Sequence, residues 1–270
     1  MAETSFLLKK FEMTADLYVL YSQATRLPYV ECDEETFEDC ILMFSDQNEV
    51  QKCAKKYTEK KILLAAGQVP GKNIKNFLAS MHCLGINAIR YIDGDTVIKE
   101  ELSNMITPPD LEAMRNEKIP RVNPEMQLTA MYFMQELRRP IERTLEEKKN
   151  IKELEEEMAV NMMRSRWIVC ADITDVTDDM SREEAGKKMK LPYVKTKDGS
   201  VFQPIFSDFA ECQKFNQGNT GAKLRLLPIT YDEIKKYIIR EAKGVCINPK
   251  GFNLFLTTEQ LDKMKEQYGE

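Results

Sequence analysis

The segment AAGQVPGKN, residues 65–73, contains the residue types from which a phosphate-binding loop is built. It follows a predicted strand and precedes a predicted helix, as such loops do in nucleotide-binding proteins. A phosphate loop also needs a lysine and a hydroxyl that holds magnesium. Here Gly67 and Gly71 enclose three residues instead of four, and Asn73 stands at the hydroxyl position. The pattern favours an ordinary Gly/Pro loop. A nucleotide- or phosphate-binding enzyme that uses Gly67–Asn73 is the alternative.

Nucleophilic catalysis would have to use His82, the only histidine in the chain, as its base. The adjacent Cys83 points to a different side of the predicted helix, so adjacency in sequence does not indicate a pair. The seven cysteines form no C-x-x-C pair, which disfavours a structural zinc site. We expect a structural histidine and cysteines that act mostly as small core residues. A Cys–His site built from distant parts of the chain, or another thiol-based activity, stays open.

An acidic run, ADITDVTDDM at residues 171–180, could suggest a cation site. Calcium loops place oxygen ligands at alternating positions with a glycine at the sixth, and the aspartates here do not follow that spacing. Their side chains suit turns and helix caps, so we expect a solvated loop. We therefore predict no catalytic, cofactor-binding or metal-binding residues, and we disfavour an enzymatic function.

Composition points to a folded protein with a well-solvated surface, because 43% of the residues are hydrophobic and 31% are charged. The net charge of −5 disfavours binding to nucleic acid. No segment approaches the roughly 18 consecutive apolar residues that span a bilayer. The start of the sequence, MAETSFLLKKFEM, lacks the features of a signal peptide. We expect a cytoplasmic protein with no cofactor and no nucleic-acid, membrane or metal partner.

The elements that would position these residues occur twice. LPYV appears at residues 27–30 and again at 191–194, and FSD follows each copy at 44–46 and 206–208. The two units close with EELSNM at 100–105 and EQLDKM at 259–264. The order of the matches is kept, and the offset drifts by only a few residues, as insertions in loops would cause. The pattern indicates internal duplication.

Each copy predicts the same series of elements: a strand, a hairpin, a helix capped by Ser-Asp, a strand, a second helix, a terminal hairpin and a short helix. Asp198-Gly199 and Asp93-Gly94 are typical hairpin turns. The first copy has a longer acidic loop, ECDEETFED, in place of the turn at Asp198-Gly199. The series predicts an α+β fold of two similar domains, each a mixed sheet packed with helices.

Four prolines within 108–124 mark a linker. Asn123-Pro124 then predicts the start of a long helix that runs to about Arg164, with Pro140 as the place for a kink. The predicted organisation is a divergent domain at 1–107, a linker at 108–124, a Met-rich helix at 125–165 and a second domain at 166–270. The apolar stripe of this helix favours packing within the fold. The alternative is a face for another protein or for a second copy of the chain.

The segment from Leu191 to Met264 resembles the SseB N-terminal domain family through VFQPIFSD, GVCINPKG and FNLFLTTEQL. The first copy resembles this family more distantly: it keeps LPYV and FSD but has Asp-Gly where the second copy has an Asn-Pro turn. The resemblance implies a small bacterial α+β domain, with no catalytic residues to carry over. We expect an SseB-like bacterial protein with a non-enzymatic interaction or regulatory role.

Overall fold

A computed structural model of the chain describes residues 5–218 and 221–269, and it confirms the predicted α+β class. Residues 1–4 of the first predicted domain, and 219–220 and 270 of the second, lie outside this range. The strands are β1 Asp16–Ser22, β2 Val30–Cys32, β3 Asp39–Phe44, β4 Leu64–Pro70, β5 Ala88–Asp93, β6 Thr96–Glu101, β7 Trp167–Asp172, β8 Val194–Lys195, β9 Val201–Ile205, β10 Leu224–Ile229, β11 Gly244–Ile247 and β12 Leu254–Thr257. The α-helices are α1 Phe6–Met13, α2 Gln47–Glu59, α3 Ile74–Cys83, α4 Leu102–Met105, α5 Leu111–Asn116, α6 Pro124–Leu137, α7 Leu145–Arg164, α8 Arg182–Lys188, α9 Phe209–Asn216 and α10 Thr258–Tyr268.

The chain divides into two compact units. Unit 1 contains residues 1–111 and 127–155, and unit 2 contains residues 112–126 and 156–270. Both units are therefore assembled from two stretches of sequence. The predicted linker at 108–124 is not a plain connection, because most of it belongs to unit 2 and α5 lies within it.

Unit 1 is built on a mixed sheet with the strand order β4-β1-β3-β5-β6, and β2 pairs with one end of β3. β3 and β5 are parallel, and the other pairs are antiparallel. Successive side chains point to opposite faces of a strand. Val19 accordingly packs in a core cluster that includes residues of α1 and α3, while Leu20 packs in a second cluster with Val50 of α2. Helices thus cover both faces of this sheet.

Unit 2 has the same strand order. β10 pairs with β7, and β12, β11, β9 and β8 form a second sheet in that order. An isolated bridge between Ile168 and Phe206 joins β7 to the end of β9. This bridge corresponds to the Tyr18–Phe44 pair between β1 and β3 in unit 1. β9 and β11 are parallel, like β3 and β5. Tyr29 directly precedes β2, and Tyr193 directly precedes β8.

The Ser-Asp steps cap helices, as the sequence predicts. The carboxylate of Asp46 accepts hydrogen bonds from the backbone of Asn48 (2.8 Å) and Glu49 (3.1 Å) at the start of α2. Asp208 accepts one from Glu211 (3.0 Å) at the start of α9. These contacts satisfy amides that the first turn of a helix leaves unpaired.

The acidic loop after β2 is balanced by cations on neighbouring strands. Arg90 of β5 binds Glu31 (2.7 Å) and Asp33 (2.6 Å), and Lys99 of β6 binds Glu38 (2.6 Å). The Arg90 guanidinium and the backbone amide of Thr36 hold the pKa of Asp33 well below its usual range. The loop is therefore tied to the sheet of unit 1 by charge pairs.

The prediction of a single helix at 125–165 is wrong. The chain forms two helices, α6 and α7, and residues 138–144 around Pro140 separate them. Proline lacks the amide that a continuous helix requires, and its ring clashes with the preceding turn. The prediction of a second helix in the second copy is also wrong in type, because residues Tyr231–Tyr237 form a 3-10 helix and not an α-helix.

None of the helices in the described ranges combines the length and the apolar character that crossing a membrane requires.

We expect Gly71→Ala to lower the free energy of unfolding by roughly 3 kcal/mol, because the added methyl group would overlap the backbone oxygens of Thr14 and Phe11. The matched control is Gly186→Ala in α8, where nothing lies within 4 Å of the added carbon. There the substitution should raise stability by about 0.5–1 kcal/mol, since alanine favours helix. Urea unfolding followed by circular dichroism measures both changes. Equal stability of the two variants would contradict the packing described for Gly71.

Candidate functional site

The segment predicted as a Gly/Pro loop is a strand followed by a turn of 3-10 helix. Leu64–Pro70 form β4, and Gly67 pairs with Val19 of β1. The ring of Tyr21 lies so close to Gly67 that an added Cβ would overlap it. Gly71 donates its N–H to the carbonyl of Ala15 (3.0 Å). The two glycines thus allow close packing, and the Gly71 amide is already bound within the protein.

β4 is an edge strand whose second edge is open. In an antiparallel pair, alternate residues direct both N–H and C=O at the partner, and those between direct them away. At the two ends of the β1–β4 ladder, Gln23 donates to the carbonyl of Leu63 (3.0 Å) and Gly71 donates to Ala15. Odd-numbered residues therefore face β1. The backbone groups of Leu64, Ala66 and Gln68 face away from it, and β4 pairs with no other described strand.

This open edge is exposed and uncharged. The residues Ala65, Ala66 and Gln68 are exposed, and β4 carries no charged side chain in its seven residues. Edge strands of soluble proteins are usually protected by charge, proline, short length or a covering segment, because an open edge templates pairing with another chain. β4 has none of these protections before Pro70, where the strand ends.

The other strand edges in the described chain are protected. β6 carries Lys99, Glu100 and Glu101, β8 has only two residues, and β12 has only four. The buried side chain of Gln135 closes the edge of β2, because it accepts from the N–H of Val30 (3.2 Å) and donates to its carbonyl (2.9 Å). The lack of protection at β4 is therefore a local feature and not a general property of this protein.

The counterpart of β4 in unit 2 shows the most direct contrast. Ile173 donates to the carbonyl of Lys223 (2.8 Å), so the even-numbered residues of β10 face its open edge by the same alternation. Pro228 pairs with Ile168 in β10, and Gln68 pairs with Tyr18 in β4. Pro228 has no N–H to offer at this position, and Arg225 adds a charge. The same edge is blocked in unit 2 and open in unit 1.

His82 does not form a catalytic pair among the described residues. Its ring is buried in α3, and Nε2 has no hydrogen-bond partner there. Burial lowers the pKa of His82 below its ordinary value of 6.5. The ring therefore packs as a neutral group, which agrees with a structural histidine.

The acidic residues at 171–180 are occupied in turns and ion pairs. Asp172 accepts hydrogen bonds from the N–H (2.8 Å) and hydroxyl (2.6 Å) of Thr174, and Asp175 binds Lys190 (2.6 Å). Within the ranges that the structure describes, no cluster of three or more His, Cys, Asp or Glu side chains could hold a metal ion.

One pair of cysteines comes together that the sequence did not single out. The amide of Asn216 lies 3.6 Å from Sγ of Cys170 and 3.5 Å from Sγ of Cys212, and both thiols are buried. The hydrogen bond between the thiols lowers the pKa of Cys170 and raises that of Cys212. By strand and helix position, apolar Leu20 and Val50 replace them in unit 1. This pair packs in the core of unit 2, as the sequence predicts for most cysteines.

The methionine stripe of the α6–α7 region is also buried. Met131, Met134, Met158 and Met162 each expose 1% or less of their surface. These methionines present no exposed apolar face, whereas Leu137 and Leu145 of the same predicted apolar stripe expose 40% and 86% of their surface.

The comparisons with known proteins leave the family open. No protein-family model matches the sequence, and no curated protein sequence matches it. Two solved structures show a distant likeness. Anabaena Tic22, described as a protein of protein transport, is 11% identical over 82% of this chain and 80% of its own, with a TM-score of 0.22. Tic22 from Plasmodium falciparum is 11% identical over 98% of both chains, with a TM-score of 0.23. At such scores the likeness carries no argument about this chain.

We expect the protein to lose stability as the pH falls below about 6.5. The pKa of His82 is lowered in the folded state, so below its ordinary value the unfolded chain binds a proton that the folded chain resists. The loss begins near pH 6.5 and continues down to the lower pKa of the folded state. Urea midpoints at several pH values measure it.

His82→Leu is the matched variant for this measurement. Because the chain has no other histidine, the variant should show little pH dependence across the same range. An unchanged slope in His82→Leu would show that another group is responsible.

Proposed function

We propose that this chain is a non-enzymatic binding protein that takes up an extended segment of another polypeptide along the open edge of β4. The observation that carries the proposal is the outward-facing backbone of Leu64, Ala66 and Gln68 on an exposed, uncharged strand. Strand addition of this kind draws its affinity from main-chain hydrogen bonds and its specificity from alternate side chains.

Three outward residues offer three N–H donors and three carbonyl acceptors, and the carbonyl of Pro70 adds another acceptor at the end of β4. An added strand of about seven residues would satisfy all of them. Its side chains would meet Ala66 and Gln68 on one face of the sheet. On the other face they would meet Ala65 and the half-buried ring of Tyr21, which lies over Gly67. The small side chains leave the backbone of β4 accessible.

The nucleotide-binding alternative has no comparable support. A phosphate loop needs free amides that converge on one point. Here Gly67 lies within the β1–β4 ladder, and the Gly71 amide is donated to Ala15.

We also propose that the protein is an SseB-like bacterial protein that arose by internal duplication and is located in the cytoplasm. The common strand order of the two units supports an internal duplication. The SseB-like character of both copies rests on the sequence resemblance alone. The seven cysteines, all within the described residues, form no disulfide bond, which is compatible with the reducing cytoplasm of a bacterium. Superposition of experimental structures of the two units would test the duplication.

We expect Gln68→Pro to weaken binding of an extended peptide at least tenfold, because it removes one outward N–H and places a ring where the added strand must pair. The probe is a fluorescein-labelled peptide with a core of seven alternating valines and threonines, measured by fluorescence anisotropy. The folded state should tolerate this change, since Pro228 stands at the corresponding position of β10. Circular dichroism and the thermal midpoint check that it does.

Gln68→Ala is the control, because it shortens the side chain and keeps the N–H. It should bind the peptide within about twofold of the original chain, since the main chain provides the hydrogen bonds. If Gln68→Pro folds and binds as tightly as Gln68→Ala, strand addition at β4 is excluded.

The nucleotide alternative is tested by thermal unfolding with millimolar ATP or GTP and magnesium. A ligand present at a hundred times its dissociation constant stabilises a folded protein by about 2.7 kcal/mol. We expect no increase in the unfolding midpoint. A clear increase that disappears in Lys72→Ala would restore the phosphate-binding hypothesis.

A further inference from the structure

We infer that the segment bound at β4 runs antiparallel to it and carries acidic residues at its C-terminal end. This inference rests on the proposed function and specifies the partner. Its basis is the distribution of positive charge around the open edge, in a chain whose net charge is −5.

The helix that packs against β4, and the turn that leads into the strand, are rich in lysine. Between Gln47 and Leu63 there are five lysines and two glutamates. Lys60 and Lys61 lie in the turn between α2 and β4 and are exposed. They form no ion pair with a carboxylate of the described chain. The strand itself is neutral, so charge at this site is concentrated at the beginning of β4.

A cavity of about 250 Å³ lies at the same end of the strand. Its lining includes Lys61, Leu63, Arg138 and Arg139. Arg138 donates to the carbonyl of Ala24, and Arg139 pairs with Glu136 (2.8 Å) and donates to the carbonyl of Lys60 (3.0 Å). The guanidinium groups are thus fixed at the edge of the cavity by the protein's own acceptors. Lys61 contributes an ammonium group that no described carboxylate neutralises.

The other end of β4 is less basic. Lys72 follows the strand, but Lys75 is paired with Glu12 (2.8 Å). An occupant with acids at one end therefore gains more when that end lies beside Lys60 and Lys61. Antiparallel pairing is slightly more stable per residue than parallel pairing, and it places the C-terminal end of the added strand at the beginning of β4.

The same charges disfavour a second copy of this chain as the occupant. Antiparallel pairing of β4 with β4 of another copy would bring Lys60 and Lys61 of each close to Lys72 of the other. Like charges at such an interface oppose association. A segment from another protein, neutral in its core and acidic after it, fits both the strand and its surroundings.

The test compares three labelled peptides that share the neutral valine–threonine core. One has two aspartates after the core, one has them before it, and one has two lysines after it; both termini are blocked in all three. We expect the peptide with C-terminal aspartates to bind about threefold to tenfold more tightly than the peptide with N-terminal aspartates. The peptide with lysines should bind most weakly. The difference should shrink at about 0.5 M salt, because salt screens exposed charges.

Lys60→Gln combined with Lys61→Asn removes the charge at the beginning of β4. Asparagine suits position 61, where φ is +60°. This variant should lose the preference for C-terminal aspartates while it keeps affinity for the neutral core. The matched control is Lys187→Gln with Lys188→Gln on exposed α8 in unit 2, which removes equal charge and should leave the preference unchanged.

Amide hydrogen exchange locates the bound peptide. The outward amides of Ala66 and Gln68 should become protected, since these would pair with the added strand. Protection without a preference for C-terminal aspartates would overturn the inference and leave the proposed function standing. Tighter binding by the N-terminal aspartates would overturn the antiparallel direction.

Absence of binding by all three peptides would overturn both the inference and the proposed function. Analytical ultracentrifugation tests whether a second copy of the chain binds at β4, because it measures the oligomeric state. A dimer that Gln68→Pro converts to a monomer would show that a second copy pairs at β4 and would overturn the inference.

Discussion

The structure of unit 1 depends on the pairing of β4 with β1. Every strand has two edges, and β1 satisfies one edge of β4 over its whole length, from Leu64 to Pro70. At Gly67 the ring of Tyr21 lies where a larger residue would place its Cβ. The odd-numbered residues of β4 form their backbone hydrogen bonds with β1. Because successive residues of a strand direct these groups to opposite sides, the N–H and C=O groups of the even-numbered residues face outward. The open edge follows directly from the way this strand is held.

The two units show that an open edge is not required by this arrangement of strands. Both have the same strand order, yet the outward position occupied by Gln68 in one is occupied by Pro228 in the other. The hydrogen bonds made by the serines that follow β3 and β9 also differ between the units. Ser45 donates to Asp93 (2.7 Å) in unit 1, whereas Asn248 donates to Ser207 (2.7 Å) in unit 2. The two units therefore share their strand order but differ in the side chains at the strand edges and strand ends.

Local signals in the sequence predicted local structure well. Asp46 and Asp208 cap helices because a carboxylate beside a helix start accepts its free amides, whatever lies further away. The turns at Gly94 and Gly199 have positive φ angles, which glycine adopts without strain. The helix at 125–165 was predicted too long because its apolar spacing was weighted above Pro140, which interrupts it.

The candidate site could not be predicted in this way. Residues 65–73 contain the glycines and proline of a loop, and only the register with β1 shows that Gly67 is in a strand. The Cys170–Cys212 pair was missed for a related reason, since its members lie on β7 and α9 and meet only in the folded unit. Neither site has a motif, because each is defined by contact with a segment that is distant in sequence.

The sequence by itself determined the α+β class, the helix caps, the hairpin turns and the repeated order of elements, because each depends on propensities and hydrogen bonds within a few residues. The tertiary structure decided which strand lies at an edge, which of its amides face outward and where the positive charges gather around it. These properties come from pairing between segments far apart in the chain, and a backbone amide leaves no trace in the sequence that shows which way it points.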